Sequence, residues 1–295
     1  MYDIKNICEV KTVEDAIHAL EADPQALVIA GGSDVLIKIR EGKLAGCSLV
    51  GIREIKELAG VSLDGEGAVH IGPLTTFSHI TFHPIIREKL PVLGYAVDQV
   101  GGPQIRNIGT IGGNVCNGVT SADSASTLFA YNALLELTGP DGKRMLPIEE
   151  FYTGPGKVAL RHAELLTDIV ITRENYEGFG GHYIKYAQRN AMDIATLGCA
   201  ALCRLNREKD KIDDLRLAFG VAGPVPMRCK KTEEFACGQA ITPELFRLAA
   251  DAAEGEVHPR TSWRASKEFR LQLVHELSQR ALKEAVRKAG GAVND

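Results

Sequence analysis

The sequence predicts an α+β protein of two parts, on three observations. In the first half, apolar runs end in glycine-rich loops and alternate with helical patterns. After Asn175 three strand-like runs follow one another. The chain then closes on capped helical patterns, which separates strands from helices as an α+β part requires.

The elements follow in order. Thr12 with Asp15 three residues on forms a capping-box pattern, and Val13, Ala16, Ile17 and Leu20 mark one apolar helix face. Leu27-Val28-Ile29-Ala30 reads as a buried strand that runs into Gly31-Gly32-Ser33-Asp34. A short helix over Asp34 to Arg40 and a strand over Ser48 to Ile52 complete a β–loop–α–β unit. Val69 to Gly72 is a further strand, and a helical region starts at Thr75 or Thr76 and ends near Pro84. Leu93, Ala96, Val97 and Val100 mark another helix, stopped by Gly101-Gly102-Pro103. Ala133 to Thr138 and Arg144 to Ile148 read as a hairpin with Gly139-Pro140-Asp141-Gly142 as its turn. Leu165 to Thr172 is the next strand.

Gly178, Gly180 and Gly181 cluster where the texture changes, and the domain boundary is expected near 175–182. Tyr183 to Arg189, Leu197 to Leu205 and Leu215 to Val221 are the three strands beyond it. The charged stretch Asn206 to Asp214 connects two of them. Thr242-Pro243-Glu244 starts a helix in the preferred order of cap, N1 proline and acid. A last long helix spans about Ser266 to Ala289 and stops at Gly290-Gly291.

Composition limits the function classes. The 295 residues are 45% hydrophobic and 24% charged, as in an ordinary globular protein. A net charge of −4 gives no support to general nucleic-acid binding. No signal peptide opens the chain and no apolar run is long enough to span a bilayer, so no membrane insertion and a cytoplasmic location are expected. Seven scattered cysteines without a Cys-x-x-Cys pair predict reduced thiols, with neither zinc nor an iron–sulfur cluster in this chain. Cys199 and Cys203 fall on one face of a strand, which favours burial over metal ligation.

Two glycine loops carry the chemistry. Around Gly31, Gly32 and Ser33, successive backbone N–H groups are placed to bind pyrophosphate, or the loop is a tight strand-to-helix turn. Asp34 is placed to cap the following helix. Neither Gly-x-Gly-x-x-Gly nor Gly-x4-Gly-Lys-Ser/Thr is present, which sets Rossmann and P-loop readings aside. The second loop, Ile108-Gly109-Thr110-Ile111-Gly112-Gly113-Asn114, alternates bulk with bareness and suits backbone pressed against an extended ligand. Thr110 and Asn114 offer side-chain hydrogen bonds to it. A branched side chain at Gly32 or Gly112 is expected to occupy ligand space. Asp123 is either an acceptor from sugar hydroxyls or a cap or turn residue, and Arg106 either faces solvent or forms an ion pair. His258, Arg260, Arg264, Lys267 and Arg270 make the late region basic, as a solvated helix face or as a docking surface for an acidic partner. Trp263 there is read as a packing or subunit-contact residue.

Together these segments resemble the FAD-binding medium subunits of molybdenum hydroxylases, a family that includes xanthine dehydrogenases and carbon monoxide dehydrogenase. The likeness rests on Ala30-Gly31-Gly32-Ser33-Asp34 and on Ile105-Arg106-Asn107-Ile108-Gly109-Thr110-Ile111-Gly112-Gly113-Asn114. Ser121-Ala122-Asp123-Ser124-Ala125, Phe151-Tyr152-Thr153-Gly154-Pro155-Gly156-Lys157 and Glu164-Leu165-Leu166 follow in the family's order. Ser266-Lys267-Glu268-Phe269-Arg270 is similar to its Ser-x-x-Tyr-Arg segment, with Phe for Tyr. The likeness covers almost the whole chain and is strongest to the separate FAD subunits of bacterial three-subunit xanthine dehydrogenases.

The resemblance implies a two-part FAD-binding domain of the vanillyl-alcohol-oxidase (PCMH) type over 1–176, with subdomains of about 1–57 and 58–176. A small α+β C-terminal domain with a three-stranded antiparallel sheet and helices would cover 177–295. It implies non-covalent FAD. Leu27, Val28, Ile29, Ala30, Gly31, Gly32, Ser33 and Asp34 would hold the pyrophosphate and adenosine portions, with Ile108 to Asn114 continuing the cradle. Asp123 would contact the ribityl or ribose, Leu165 and Leu166 the adenine side, and Lys185 would lie near the flavin. No residue is implied as a protein catalyst and none as a metal ligand. The implied function is electron transfer from the 2Fe–2S clusters of a small partner subunit, through FAD, to NAD or another acceptor. A large subunit would carry the molybdopterin–molybdenum cofactor, in a heterotrimer or a dimer of heterotrimers. The alternative is a free-standing flavin oxidoreductase with its own substrate on the same fold.

Overall fold

The computed structural model describes residues 2–293; Met1, Asn294 and Asp295, at the ends of the two expected domains, lie outside the described residues. Three sheets organise it. The N-terminal lobe comprises β1 (Ile4–Glu9), α1 (Val13–Ala22), β2 (Leu27–Ile29), α2 (Val35–Arg40) and β3 (Cys47–Gly51). Its strands form a parallel sheet in the order β1-β3-β2. Thr12 caps α1, its hydroxyl accepting from Asp15 N at 3.1 Å, and Ala16, Ile17 and Leu20 enter the lobe core. Strand β1 escapes sequence reading because it is an edge strand with five of its six residues exposed, so it carries no apolar alternation.

The central lobe begins with β4 (Val61–Leu63) and β5 (Val69–Ile71). Helices α3 (Phe77–Phe82), α4 (Pro84–Lys89), α5 (Pro91–Val97), α6 (Pro103–Ile108), α7 (Ile111–Cys116) and α8 (Asp123–Ala130) follow. Then come β6 (Leu134–Gly139), β7 (Gly142–Pro147), α9 (Ile148–Phe151), the small pair β8 (Tyr152–Gly154) and β9 (Lys157–Val158), and β10 (Leu165–Ile171). The main sheet is antiparallel, in the order β4-β5-β10-β6-β7. Thr76 caps α3, whereas Thr75 is buried and hydrogen-bonds the Gly60 backbone. The first helical region ends before Pro84 and the second expected helix is α5, started by Pro91, while α4, started by Pro84, lies between them unanticipated. The hairpin turn is tighter than expected: Gly139 pairs with Gly142, leaving Pro140-Asp141 at the tip and Gly142 at φ 103°.

The C-terminal domain has β11 (Gly180–Tyr186), β12 (Leu197–Leu205), β13 (Ile212–Gly220), β14 (Met227–Arg228), α10 (Lys230–Ala236), α11 (Pro243–Glu256) and α12 (Lys267–Lys288). The three expected antiparallel strands are present, and the two-residue β14 adds a fourth at the edge. Helices α11 and α12 cover the face of the sheet that carries Cys199, Ala201 and Cys203. Burial pushes the Cys203 thiol up to about 12, which keeps it a neutral core side chain.

The opposite face of this sheet packs on α8 of the central lobe, so Ala200, Leu202 and Ala218 join the central core. A polar network closes the seam. Buried Arg216 donates to Asn175 Oδ1 at 2.8 Å and to the Ala130 carbonyl at 3.2 Å, with its guanidinium over the Phe179 ring. Arg228 pairs with Glu233 at 2.6 Å and reaches Asn132, which itself donates to Asn175. The N-terminal lobe is tied on more thinly. Lys38 Nζ donates to Asn117 Oδ1 at 2.8 Å, His162 Nε2 lies 2.7 Å from the Leu20 carbonyl, and Leu74, Ala163 and Leu165 plug its core.

On one face of the central sheet, His70 Nδ1 on β5 lies 2.6 Å from Asp168 Oδ2 on β10, and Nε2 lies 3.3 Å from Asp64 Oδ2. Burial alone would lower the His70 pKa, but the two carboxylates outweigh it and raise it above the ordinary 6.5. The imidazolium therefore stabilises the fold fully below about 6.5, and that contribution is lost as pH rises through the higher folded value. His70→Gln should cost about 1 kcal/mol in urea unfolding at pH 5.5, given partial solvent screening, and close to nothing at pH 9. An equal cost at both pH values would show that the charge is not involved.

Candidate functional site

The site forms where the carboxyl ends of the three parallel strands meet the central lobe. Loops leaving such ends are where open parallel sheets place ligands. Glu9, the segment Ile29–Gly32, and the segment Gly51–Glu54 converge there, with Ile108 supplied by the central lobe. They enclose a cavity of about 420 Å³.

The two glycine loops touch backbone to backbone. A Cβ on Gly31 would collide with the Ile108 carbonyl and lie 3.2 Å from Gly109 Cα. Only glycine permits that approach. Gly32 has φ 75°, which glycine adopts without strain. Among the described residues, the backbone N–H groups of Gly31, Gly32, Ser33 and Asp34 have no hydrogen-bond acceptor in the protein. Four successive free donors beside a cavity fit the anionic pyrophosphate of FAD. Asp34 does not make the cap expected of it: it holds the N-cap position of α2 with its carboxylate exposed and no cap hydrogen bond. Leu27 and Val28 are half-buried in β2 behind the loop, while Ala30 and Ile29 line the cavity.

The second loop differs from its expectation. Rather than extended backbone, Ile111–Cys116 is the helix α7, with Thr110 as its N-cap and the Thr110 hydroxyl accepting from Gly113 N at 3.1 Å. Ile111 N donates to the Thr75 carbonyl, Gly112 N to the Pro73 carbonyl and Asn114 N to the Thr110 carbonyl. The N–H groups of Ile111, Gly112, Gly113 and Asn114 are thus engaged within the protein. Gly112 is required for a different reason than ligand space: a Cβ there would strike Pro73, 2.7 Å from its carbonyl oxygen. Gly32 likewise faces protein, with Leu36 Cδ1 3.2 Å from an added Cβ. Asn114 Oδ1 accepts from the Ser124 hydroxyl at 2.7 Å, which fixes its amide.

Asp123 and Lys185 are brought together, 2.8 Å apart and 6% and 7% exposed. Lys185 Nζ also donates to the Gln99 carbonyl at 2.9 Å, and the Tyr183 hydroxyl donates to the other Asp123 oxygen at 2.7 Å. Gly198 makes room for that ring, since a Cβ there would lie 2.9 Å from Tyr183 Oη. Burial raises the Asp123 carboxyl above its ordinary value, while Lys185 and Tyr183 hold part of that back. Both Asp123 oxygens accept a bond across the domain seam. Asp123 does not cap a helix, since Ala122 holds the N-cap position of α8.

Lys185 lies on the wall of a second cavity of about 460 Å³, with Asp98, Arg106, Arg189, Met192 and Asp193. Arg106 pairs with Asp98 at 3.2 Å and caps the carbonyls of Val100 and Gly101. Leu165 and Leu166 are buried, Leu165 in the core of the N-terminal lobe and Leu166 in the central core. Sequence reading passed over Glu9, Gly51, Arg53, Glu54, Gln99 and Tyr183. Gly51 carried a usable signal, since it ends an apolar strand as Gly31 does. Among the described residues, no group of three or more His, Cys, Asp or Glu is placed to hold a metal, and no helix is long and apolar enough to cross a membrane.

Comparison with known proteins places these features in context. Residues 3–173 match the family described as "FAD binding domain in molybdopterin dehydrogenase", and residues 182–285 match "CO dehydrogenase flavoprotein C-terminal domain". The putative xanthine dehydrogenase FAD-binding subunit of Escherichia coli (strain K12) is 43% identical over 291 residues, 99% of each chain. The nicotinate dehydrogenase FAD-subunit of Eubacterium barkeri is 29% identical over 97% of each chain. A solved structure of carbon monoxide dehydrogenase from Hydrogenophaga pseudoflava superposes with a TM-score of 0.92 at 28% identity, covering 98% of this chain and 99% of that one.

Two substitutions test the geometry. Gly31→Ala should displace the second loop and lower the flavin absorbance per chain, whereas Gly65→Ala, with open space around the added carbon, should leave it unchanged. Equal flavin content in both would remove the loop contact from the site. Lys185→Met should lower stability by about 3–5 kcal/mol in urea unfolding, because it strands a buried carboxylate. A loss under 1 kcal/mol would mean that water reaches Asp123.

Proposed function

We propose that this chain, which belongs to the family of FAD-binding medium subunits of molybdenum hydroxylases, is the electron-relay subunit of a xanthine dehydrogenase-type enzyme. The observation that carries the reading is the contact of the two glycine loops beside four successive free N–H donors, those of Gly31 to Asp34, with Gly31 and Gly32 on the wall of the cavity at the strand ends. Full-length similarity to a putative xanthine dehydrogenase subunit supports the substrate class of the complex.

Bound FAD supplies redox chemistry that side chains lack, accepting electrons singly and passing them on in pairs. The chain's own residues bind and orient it. The N–H groups of Gly31 to Asp34 donate to pyrophosphate oxygens, and Ile29, Ala30 and Ile108 wall the cavity against water. Lys185, fixed by Asp123 and the Gln99 carbonyl, keeps a rigid positive charge at the second cavity. Fixed charge that needs no rearrangement stabilises negative charge more effectively than mobile water. Leu165 and Leu166 act through the cores that position these loops.

In this reading a large molybdopterin subunit oxidises the purine or related heterocycle. A small 2Fe–2S subunit delivers the electrons, and NAD accepts them in the cytoplasm. The purified chain should carry a flavin absorbance band that xanthine bleaches only after both partner subunits are added, and that NADH bleaches without them. Turnover of xanthine by the isolated chain would overturn the relay, and a colourless chain that takes up no FAD would overturn the cofactor assignment.

A further inference from the structure

The C-terminal domain carries a basic, aromatic face. Buried Arg270, near the start of α12, organises it. Arg270 donates to the Thr196 carbonyl at 3.2 Å, to Ser262 Oγ at 2.8 Å and to the Arg260 carbonyl. These bonds pin the 258–266 loop against β12. The loop presents Trp263, 77% exposed, with the Arg264 guanidinium stacked 4.2 Å above its ring. Gln188 Nε2 donates to the Arg264 carbonyl, and the Tyr186 and Phe269 rings meet edge to face at 5.7 Å. Met192 and Ile194, 61% and 48% exposed, lie on the adjoining loop. Exposed apolar side chains grouped in this way mark an interaction surface, and Trp, Tyr and Arg are the types that dominate binding energy.

Charge identifies the occupant. Among the described residues, Arg260, Arg264, Lys267 and Arg270 form no ion pair, and buried Arg264 Nε has no hydrogen-bond acceptor. Of the acids nearby, Asp193 is taken by Arg189, and Glu268, on the first turn of α12, is held by Ser266 with only Lys267 beside it. A surface on which Arg260 and Arg264 have no acid partner and a buried donor has no acceptor matches an acidic one. Tyr186 and Met192 belong both to this face and to the wall of the 460 Å³ cavity that holds Lys185. A chain seated here therefore abuts that cavity. A thiolate-ligated iron–sulfur cluster brings anionic charge of its own.

We propose that the face formed by Tyr186, Met192, Ile194, Trp263 and Phe269, bordered by Arg260, Arg264 and Lys267, docks an acidic surface of the 2Fe–2S partner subunit. This rests on the relay reading above. Trp263 is the single tryptophan of the chain, so its emission reports contact. The test titrates the full flavin-loaded chain with the small 2Fe–2S subunit of its complex, following affinity by calorimetry and the change in Trp263 emission. Trp263→Ala and Arg264→Glu should each weaken binding by about 10-fold or more at unchanged flavin content. Lys267→Glu, at an exposed helix start, should weaken it by less and flatten its salt dependence. Wild-type affinity in the folded variants would overturn the assignment, as would a loss confined to the molybdenum subunit or to self-association of this chain. A flavin-loaded wild-type chain that binds no 2Fe–2S subunit would overturn the relay reading together with this surface, which sets that failure apart from one of the surface alone.

Discussion

The site depends on how closely two backbones approach at Gly31. The carbonyl of Ile108 occupies the space in which any other residue would carry its Cβ. That contact sets the N-terminal lobe against the central lobe at the strand ends, where the free N–H groups and the cavity lie. Much around it serves this approach. Thr110 caps α7 and fixes the direction in which the chain leaves Gly109. Gly112 packs on Pro73, and Phe77 N donates to the Gly109 carbonyl, tying the loop to the start of α3. One missing methyl group thus has several supporting contacts behind it.

How much of this was legible in the sequence depends on periodicity and on partners far along the chain. Helices with an apolar face and a hydroxyl cap, such as those begun by Thr12, Thr242 and Ser266, announce themselves locally, and the structure places a capped helix at each. Strand β1 does not, because its pairing with β3 leaves most of its side chains in water. The same limit explains α7. Two adjacent glycines argue against a helix on propensity, and what overrides them is the Thr110 cap together with acceptors on Pro73 and Thr75, which local pattern does not show. Glycine loops were visible as special positions, but which glycine faces a ligand and which faces protein was not. Gly31 and Gly112 look alike in sequence, and only the opposing atoms separate them.

Asp123 and Lys185 illustrate the remaining gap. A carboxylate in a polar segment and a lysine in a strand read as independent residues until the fold lays α8 across the C-terminal sheet. Burial then makes each a condition for the other, since a lone charge of either sign at 6–7% exposure is strongly disfavoured. The seam becomes specific in this way: Asp123 accepts from Tyr183 and Lys185, while a short distance along Asn175 accepts from Arg216 and Asn132, and Asn132 accepts from Arg228. Apolar packing alone would allow the two surfaces to slide, and these directional bonds fix one register.

The lobes are held with unequal strength, and this decides how the molecule comes apart. At the C-terminal seam a shared core and a satisfied polar network must break together, so that boundary opens only with global unfolding. The N-terminal lobe hangs on the Gly31 contact, the Lys38–Asn117 and His162–Leu20 bonds and a small apolar plug. Fewer contacts of this kind make a unit easier to open locally than one that shares a core. The free N–H groups of Gly31 to Asp34 sit on that lobe, at its contact with the central lobe. A ligand that bound both lobes would hold them together, in proportion to its concentration over its dissociation constant.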